Sequence, residues 1–288
     1  MWSKIRLRDG RMLAWREYGA ADGVPIVFCH GNLNSRLFEP SWSATEEQTI
    51  AAGARVLAVD RPGYGQSGFL PERSYMSWPD DVAQLVEHLD IGMYAVLGFS
   101  SGGPNAMAVA ASAGATVSGR GAVVCGLISP DGPYRKIGGD HMVEAIYGTR
   151  ERTLAAFAAR TERVHAEMQA GYHAMKKKDR RLLALRDLEE AARQGLDKGA
   201  AQDGLLESGD WGFELSDISI PTFLWHGEAD QDVPVDVGRY VADGIAGCTA
   251  TFIPGENHTL LRRHWKPIME RLVGAVRAIT AEGPDARL

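Results

Sequence analysis

The sequence is poor in cysteine, with only Cys29, Cys125 and Cys248 in 288 residues. Their number is odd, they are widely spaced, and each lies in an apolar run. Disulfide frameworks instead use an even number of cysteines in short secreted chains. The pattern excludes a disulfide scaffold and predicts three reduced, buried thiols, as in a cytoplasmic protein.

Long apolar runs are also missing. No segment approaches the roughly 18 consecutive apolar residues that a membrane-spanning helix needs. The N-terminal segment Met1 to Arg6 lacks the uninterrupted apolar stretch of a signal peptide. We therefore expect a soluble, cytoplasmic protein with no membrane partner.

Concentrated positive charge and common ligand motifs are absent as well. The net charge is −6, and the one basic cluster, Lys176 to Arg181, lies in a stretch of mixed charge typical of a solvated helix face. The chain has no basic arm or zinc-finger spacing. It also has no H-E-x-x-H metal motif and no G-x-G-x-x-G fingerprint after its first parallel strand. These absences exclude nucleic acid as a partner, and we expect no metal and no cofactor.

Short apolar segments alternate with helical patterns along most of the chain. A hairpin pattern comes first, with Asp9-Gly10 as its turn and residues 12–18 as its return strand. Strand patterns follow at 25–29, 55–59, 94–97, 122–128, 222–225 and 249–253. Helical patterns lie between them at 77–89, 103–113, 235–245 and 260–280. This alternation predicts βαβ units and a mostly parallel sheet.

Residues 131–211 interrupt the alternation, because they contain no strand pattern. Helical segments rich in Ala, Leu, Glu, Arg and Lys occur there instead, at 142–147, 152–174 and 180–193. Open α/β sheets bind their ligands at the carboxyl ends of the strands. We therefore predict a core formed by residues 1–130 and 212–288, with a helical cap at 131–211 above those strand ends.

The strongest chemical signal is Gly98-Phe99-Ser100-Ser101-Gly102, which matches the G-x-S-x-G nucleophile elbow. The motif follows an apolar strand and opens an Ala-rich helix, which is the context that it requires. A nucleophile on so sharp a turn has a strained backbone, and side chains two positions away would clash with it. The sequence therefore predicts Ser100 as a nucleophile.

A serine hydroxyl needs an adjacent base, and the base needs a third group to orient it. When the nucleophile lies on such an elbow, the acid and then the histidine follow it in the chain. His258 and Asp230 each lie just beyond the carboxyl end of a predicted strand, at the same sheet edge as Ser100. The other seven histidines fall in cap sequence, on amphipathic helices or before glycines that shape loops. Asp232 is a rival for the acid, and Glu228 is a weaker one.

The amide after the nucleophile and an amide from the loop after the first parallel strand usually form an oxyanion hole. These positions are Ser101 and Asn32, the latter in His30-Gly31-Asn32. Gly31 lets the backbone approach closely. We predict both backbone amides as donors, with the Asn32 side chain as a further one.

Five segments together resemble the α/β-hydrolase superfamily, in particular its soluble branch with a cap. They are, in chain order, His30-Gly31-Asn32, Asp60 to Ser67, Gly98 to Gly102, Trp225 to Asp230 with Val233-Pro234, and Gly255 to His258. The resemblance covers most of the chain outside the cap and implies an α/β-hydrolase fold with a mostly parallel, doubly wound sheet. It implies Asp230 as the acid in preference to Asp232, and a structural role for Asp60 to Ser67. Asn257 departs from the pattern, because glycine commonly precedes the histidine.

The resemblance implies a hydrolase that transfers the acyl group of a small carboxylic ester to Ser100. Haloalkane dehalogenases and epoxide hydrolases are excluded, because they use aspartate where Ser100 stands. A lactonase and an aminopeptidase of the proline-iminopeptidase type stay open, the latter with Glu144 or Glu151 as receptor for a substrate ammonium. Lyase action, C–C bond hydrolysis and a small-molecule receptor without turnover also stay open. The sequence does not indicate the oligomeric state or the cap residues that line the pocket.

Overall fold

A computed structural model describes residues 2–112, 121–126 and 150–282. The strands in them are β1 (Trp2–Arg6), β2 (Met12–Gly19), β3 (Val24–Cys29), β4 (Ala54–Val59), β5 (Ala95–Ser100), β6 (Gly121–Gly126), β7 (Phe223–Gly227) and β8 (Thr249–Ile253). They form an eight-stranded sheet in the order β1-β2-β4-β3-β5-β6-β7-β8. The pairs β1–β2 and β2–β4 are antiparallel, and the remaining pairs are parallel. The predicted N-terminal hairpin and mostly parallel sheet are confirmed.

Helices connect the strands. Those described are α1 (Thr45–Ala51), α2 (Trp78–His88), α3 (Gly102–Ser112), α4 (Arg150–His173), α5 (Lys178–Ala191), α6 (Ala200–Glu207), α7 (Val235–Gly244) and α8 (Leu261–Glu282). None of them combines the length and the apolar character that crossing a membrane requires.

The central strands are apolar throughout because both faces of the sheet are covered. In β3, Ile26 and Phe28 pack in one core cluster with residues of α8 such as Trp265. The alternate residues Val27 and Cys29 pack in a second cluster, with residues of α2 and α3. Side chains of a strand alternate between faces, so helices lie on both sides of the sheet, as the doubly wound prediction requires.

Helices α4, α5 and α6 lie in the chain between β6 and β7, within the predicted cap. Residues of α5 and α6 pack against Leu33 and Tyr64 of the core loops in a small apolar cluster. The predicted helices at 152–174 and 180–193 are confirmed within two residues at each end. The predicted segment 142–147 lies outside the described residues, and the division at 131 and 211 stays a prediction.

Two elements differ from expectation. Helix α1 has no predicted counterpart, because it buries only Thr45 and Thr49 and so lacks an apolar stripe. Cys248 is half-buried, whereas the sequence predicted a buried thiol, because it lies in the loop before β8. Cys29 is a buried free thiol as expected, and the side chain of Cys125 lies outside the described part of the chain.

Candidate active site

Ser100 lies on a sharp turn between β5 and α3, with a positive φ of 52°. Residues other than glycine rarely adopt this conformation, so the surrounding fold must hold it. The flanking glycines make the turn possible. A Cβ atom on Gly98 would lie 2.4 Å from the Gly102 carbonyl oxygen, and one on Gly102 would lie 2.0 Å from that of Cys29. The predicted elbow is therefore present, with its serine at the carboxyl edge of the sheet.

Ser100, His258 and Asp230 form a continuous chain of hydrogen bonds. The Ser100 hydroxyl lies 2.9 Å from Nε2 of His258, and Nδ1 of His258 lies 2.9 Å from Oδ2 of Asp230. The loops after β7 and β8 carry the acid and the histidine. The structure thus brings together three residues that are 130 and 28 positions apart in the chain.

The loop around Asp230 fixes its carboxylate. Oδ1 accepts the backbone amides of Asp232 and Val233, each at 2.9 Å, which leaves Oδ2 for His258. Burial raises the pKa of Asp230, but the hydrogen bond and charge of His258 and the Val233 amide outweigh it, and the net pKa is lowered. An ionised Asp230 favours the histidine tautomer that has its proton on Nδ1.

The two rival acids lie elsewhere. Asp232 is exposed and donates its amide to Asp230, and Glu228 is exposed with one oxygen 3.9 Å from Arg239. Asp230, Asp232 and His258 also hold ligand atoms within 4.8 Å of one another, a spacing that a metal ion could use. A metal there would have to break the His258–Asp230 hydrogen bond, so this donor set fits an acid–histidine pair better than a metal.

The two predicted oxyanion donors border the same cavity as Ser100. Gly31 brings its loop close, because a Cβ atom on it would lie 3.1 Å from the Ser100 Cβ. Among the described residues, neither the Asn32 nor the Ser101 amide has a backbone acceptor. The Asn32 side chain donates from Nδ2 to the Ala200 carbonyl of α6 at 3.0 Å, and its role as a further oxyanion donor stays a prediction.

The Arg61 guanidinium connects the loop from His30 to Asn32, here called the oxyanion loop, to the inserted helices. Arg61 donates to the carbonyls of His30 and Gly31 at 3.1 and 3.2 Å. It also forms two bonds, of 2.6 and 2.7 Å, to the buried carboxylate of Asp203 on α6. Burial, followed by the charge of Arg61, lowers the pKa of His30 well below its ordinary value, so His30 is a neutral structural residue. The predicted structural role of Asp60 to Ser67 rests partly on this contact.

A cavity of about 440 Å³ opens beside Ser100 and His258. Its wall is mainly apolar, with Phe38, Phe99, Phe157, Val164, Met168 and Tyr172. Ionisable side chains interrupt this wall at Arg160, Glu207, Asp232 and Arg262. Glu207 and Arg262 were not predicted as site residues, because no sequence motif contains them. Of the two predicted ammonium receptors, Glu151 is exposed on α4 and absent from this wall, and Glu144 lies outside the described residues.

Glu207 is an unusual member of this wall. Burial, followed by the charge of Asp203, raises its pKa to about 8, although the Ser101 hydroxyl acts in the opposite direction. Its Oε1 is buried and has no hydrogen-bond partner in the described ranges. The group is therefore mostly a neutral carboxylic acid at neutral pH, next to one of the predicted oxyanion donors.

Comparison with known proteins places this geometry in a family. The non-heme chloroperoxidase of Streptomyces lividans is 25% identical over 95% of this chain and 99% of that protein. The bifunctional esterase/perhydrolase DCH of Acinetobacter calcoaceticus shows the same identity and coverage. A dihydrolipoyllysine-residue acetyltransferase component of Pseudomonas putida is 36% identical over 35% of this chain, and the match spans only 26% of that protein.

Solved structures and a family model agree on the fold. An esterase from Exiguobacterium antarcticum has a TM-score of 0.70 at 21% identity, over 96% of this chain and 100% of that one. The enol-lactonase from Burkholderia xenovorans has a TM-score of 0.67 at 19% identity, with the same coverage. The family model of the alpha/beta hydrolase fold matches residues 24–260. The chain therefore belongs to the α/β-hydrolase family and is a hydrolase.

Proposed function

We propose that this chain is a serine esterase that hydrolyses small carboxylic esters through an acyl enzyme on Ser100. The observation that carries the proposal is the unbroken hydrogen-bonded chain from the Ser100 hydroxyl through His258 to Asp230, with both links at 2.9 Å. A nucleophile, a base and an orienting acid in this order are what acyl transfer needs. The esterase function in the names of two similar proteins supports this reaction class.

The reaction begins when His258 Nε2 takes the hydroxyl proton and Ser100 Oγ bonds to the ester carbonyl carbon. Asp230 stabilises the positive charge on the imidazole. The amides of Asn32 and Ser101 bind the negative oxygen of the tetrahedral intermediate, each contributing about 3 kcal/mol. When the C–O bond to the alcohol breaks, His258 returns the proton to the departing oxygen. Water then repeats these steps on the acyl enzyme and releases the acid.

The intact triad favours this enzyme over a receptor without turnover. A receptor has no need for a strained serine at φ 52° whose hydroxyl is paired with a histidine. A strained backbone conformation of this kind costs of order 1–3 kcal/mol, and proteins usually retain one only where function depends on it. Lactones present the same carbonyl to Ser100, so lactone hydrolysis belongs to the same proposal.

The decisive experiment is hydrolysis of a short-chain aryl ester, together with covalent labelling by a fluorophosphonate. We expect the wild type to turn over and to label, and Ser100→Ala to lose both, with a fall in kcat of up to about a million-fold. Ser112→Ala, at an exposed end of α3, is the matched control and should retain both. A wild type that neither turns over nor labels would contradict the proposal.

A further inference from the structure

Arg262 lies in the wall of the active-site cavity and forms no ion pair with the part of the chain that the structure describes. It lies in the first turn of α8, four residues after His258. Its Nη1 is buried and has no hydrogen-bond partner among the described residues. Arg262 is half-buried, whereas Arg36, Arg61 and Arg73 are fully buried and each bind a carboxylate at 2.5–2.6 Å. Nε of Arg36 and of Arg73 also lacks a partner, but the charge of each of these arginines is paired. A buried guanidinium nitrogen without a partner is costly unless a ligand satisfies it.

An aromatic platform holds Arg262 in place. Its guanidinium carbon lies 3.7 Å from the centre of the Trp42 ring, and that of Arg180 lies 5.6 Å from the same ring. Trp42 has a φ of 55°, which a tryptophan rarely adopts without support from its surroundings. Stacking on an indole leaves the in-plane N–H groups of an arginine free to bind a planar anion.

No carboxylate of the described residues forms a hydrogen bond or ion pair with the Nη1 of this cation. The charge of Asp187 acts on Arg262, but burial raises the pKa of Asp187 to about 7, and its oxygens accept the Asn34 side-chain amide at 2.9 Å and the Ser35 amide and hydroxyl at 2.8 and 2.7 Å. Glu207 in the same cavity is mostly protonated at neutral pH, because burial raises its pKa to about 8. Asp232 is exposed to solvent. Arg160, on the inserted helix α4, adds a second positive charge to the wall.

We propose that the cavity binds esters that carry a free carboxylate, and that Arg262 binds this carboxylate while Ser100 attacks the ester carbonyl. The fork of N–H donors on an arginine matches the two oxygens of a carboxylate. The apolar wall between the two ends suits a hydrocarbon chain. Monoesters of linear dicarboxylic acids combine these features. The inference rests on the proposed esterase function and adds its substrate class.

The test compares methyl monoesters of linear dicarboxylic acids, from succinate to pimelate, with their uncharged dimethyl esters. We expect the wild type to prefer the monoester of one chain length. Arg262→Gln should lower kcat/KM for that monoester by roughly 10- to 100-fold, mainly through KM, and affect the diester much less. Arg262→Lys should restore part of the loss, because it returns the charge without the fork.

The neighbouring Arg263 provides a matched control. It is 62% exposed and pairs with Glu256 at 2.7 Å, and it does not line the cavity. Arg263→Gln should therefore leave the monoester preference unchanged. Equal losses on monoester and diester in Arg262→Gln would overturn the inference, since they would point to a structural role. We also expect Arg262→Gln without ligand to have a Tm at least equal to that of the wild type.

Binding separates this inference from the esterase proposal. Titration calorimetry of the free dicarboxylates into Ser100→Ala, with and without Arg262→Gln, needs no turnover. Dicarboxylate binding that is lost with Arg262 supports the carboxylate site even if the wild type hydrolyses no ester, in which case only the esterase proposal fails. Ester hydrolysis without dicarboxylate binding, or with binding that is unchanged by Arg262→Gln, overturns the carboxylate site and leaves the esterase proposal standing.

Discussion

The protonation state of each acid in this site depends on the groups that surround it rather than on its residue type. Asp230 and Glu207 are both carboxylic acids at the cavity, yet the pKa of Asp230 is lowered and that of Glu207 is raised to about 8. Asp230 accepts hydrogen bonds from two backbone amides and a histidine. Glu207 faces the charge of Asp203, and its buried Oε1 has no partner among residues 2–112, 121–126 and 150–282. One acid is thus kept ionised and the other neutral.

The raised pKa of Glu207 makes stability depend on pH. Between its ordinary value of 4.5 and about 8, the folded state binds more protons at this group than the unfolded state does. The contribution of Glu207 to stability therefore falls as pH rises through this window. Glutamine has nearly the same shape as a protonated glutamic acid but does not titrate. The Tm of Glu207→Gln relative to that of the wild type should therefore increase from about pH 5 to about pH 8 and then level off.

Thermal unfolding measured across this pH range provides the check. One kcal/mol shifts the Tm of a domain of roughly this size by about 2–4 °C, so we expect the gap to widen by a few degrees. Glu189→Gln, at an exposed position on α5, is the control, and its Tm gap should not vary with pH. A gap for Glu207→Gln that is flat with pH would refute the neutral carboxylic acid.

At the scale of elements, the buried strands and the elbow were predictable because local patterns encode them. A run such as Val24–Cys29 is apolar on both faces, and Gly98 of the elbow is required by a contact with Gly102, four residues later. Helix α1 was not predictable, because its two buried residues are threonines. The Asn32 side chain donates to Ala200, 168 residues away, and Arg262 stacks on Trp42, 220 residues away. Such long-range contacts leave no trace in a local pattern.

The tight contact between the elbow and β3 leads to a prediction about Gly102→Ala. A Cβ atom there would lie 2.0 Å from the Cys29 carbonyl oxygen, and backbone cannot move aside as a flexible side chain can. We expect a loss of at least about 3 kcal/mol in the free energy of unfolding, at the upper end of overpacking costs, and loss of esterase activity. Denaturant unfolding and ester kinetics measure the two effects.

Gly274→Ala is the matched control, because Gly274 lies on the exposed side of α8 with no atom within 4 Å of an added Cβ. It should raise the free energy of unfolding by about 0.5–1 kcal/mol, the usual gain from replacing a helical glycine with alanine. If Gly102→Ala were as stable and as active as Gly274→Ala, the elbow would not depend on this close approach.

At the scale of the whole molecule, buried polar contacts attach the inserted helices to the sheet core. Asp203 on α6 accepts hydrogen bonds from Arg61, Arg73 and the Tyr64 hydroxyl, at 2.5–2.7 Å. Glu190 on α5 binds Arg36 at 2.6 Å. Removing one partner of a buried ion pair leaves the other charge uncompensated.

We therefore expect Asp203→Asn to lower the free energy of unfolding by about 3–5 kcal/mol, because it leaves two buried arginines without their carboxylate. The corresponding fall in Tm is roughly 6–20 °C. Asp197→Asn, an exposed change between α5 and α6, should shift the Tm by only about 1–2 °C. Differential scanning calorimetry makes the comparison, and equal Tm values for the two variants would contradict a structural role for this ion cluster.

The position of Arg61 has a consequence for attempts to engineer this enzyme. The same guanidinium binds Asp203 on the inserted helices and the carbonyls of the oxyanion loop. Exchanging these helices for those of a relative, in order to graft a new substrate range, would also withdraw the counterion that keeps the loop beside Ser100. We therefore expect a chimera to retain activity only if the transplanted segment places a carboxylate beside Arg61, so a graft should include the residue that replaces Asp203.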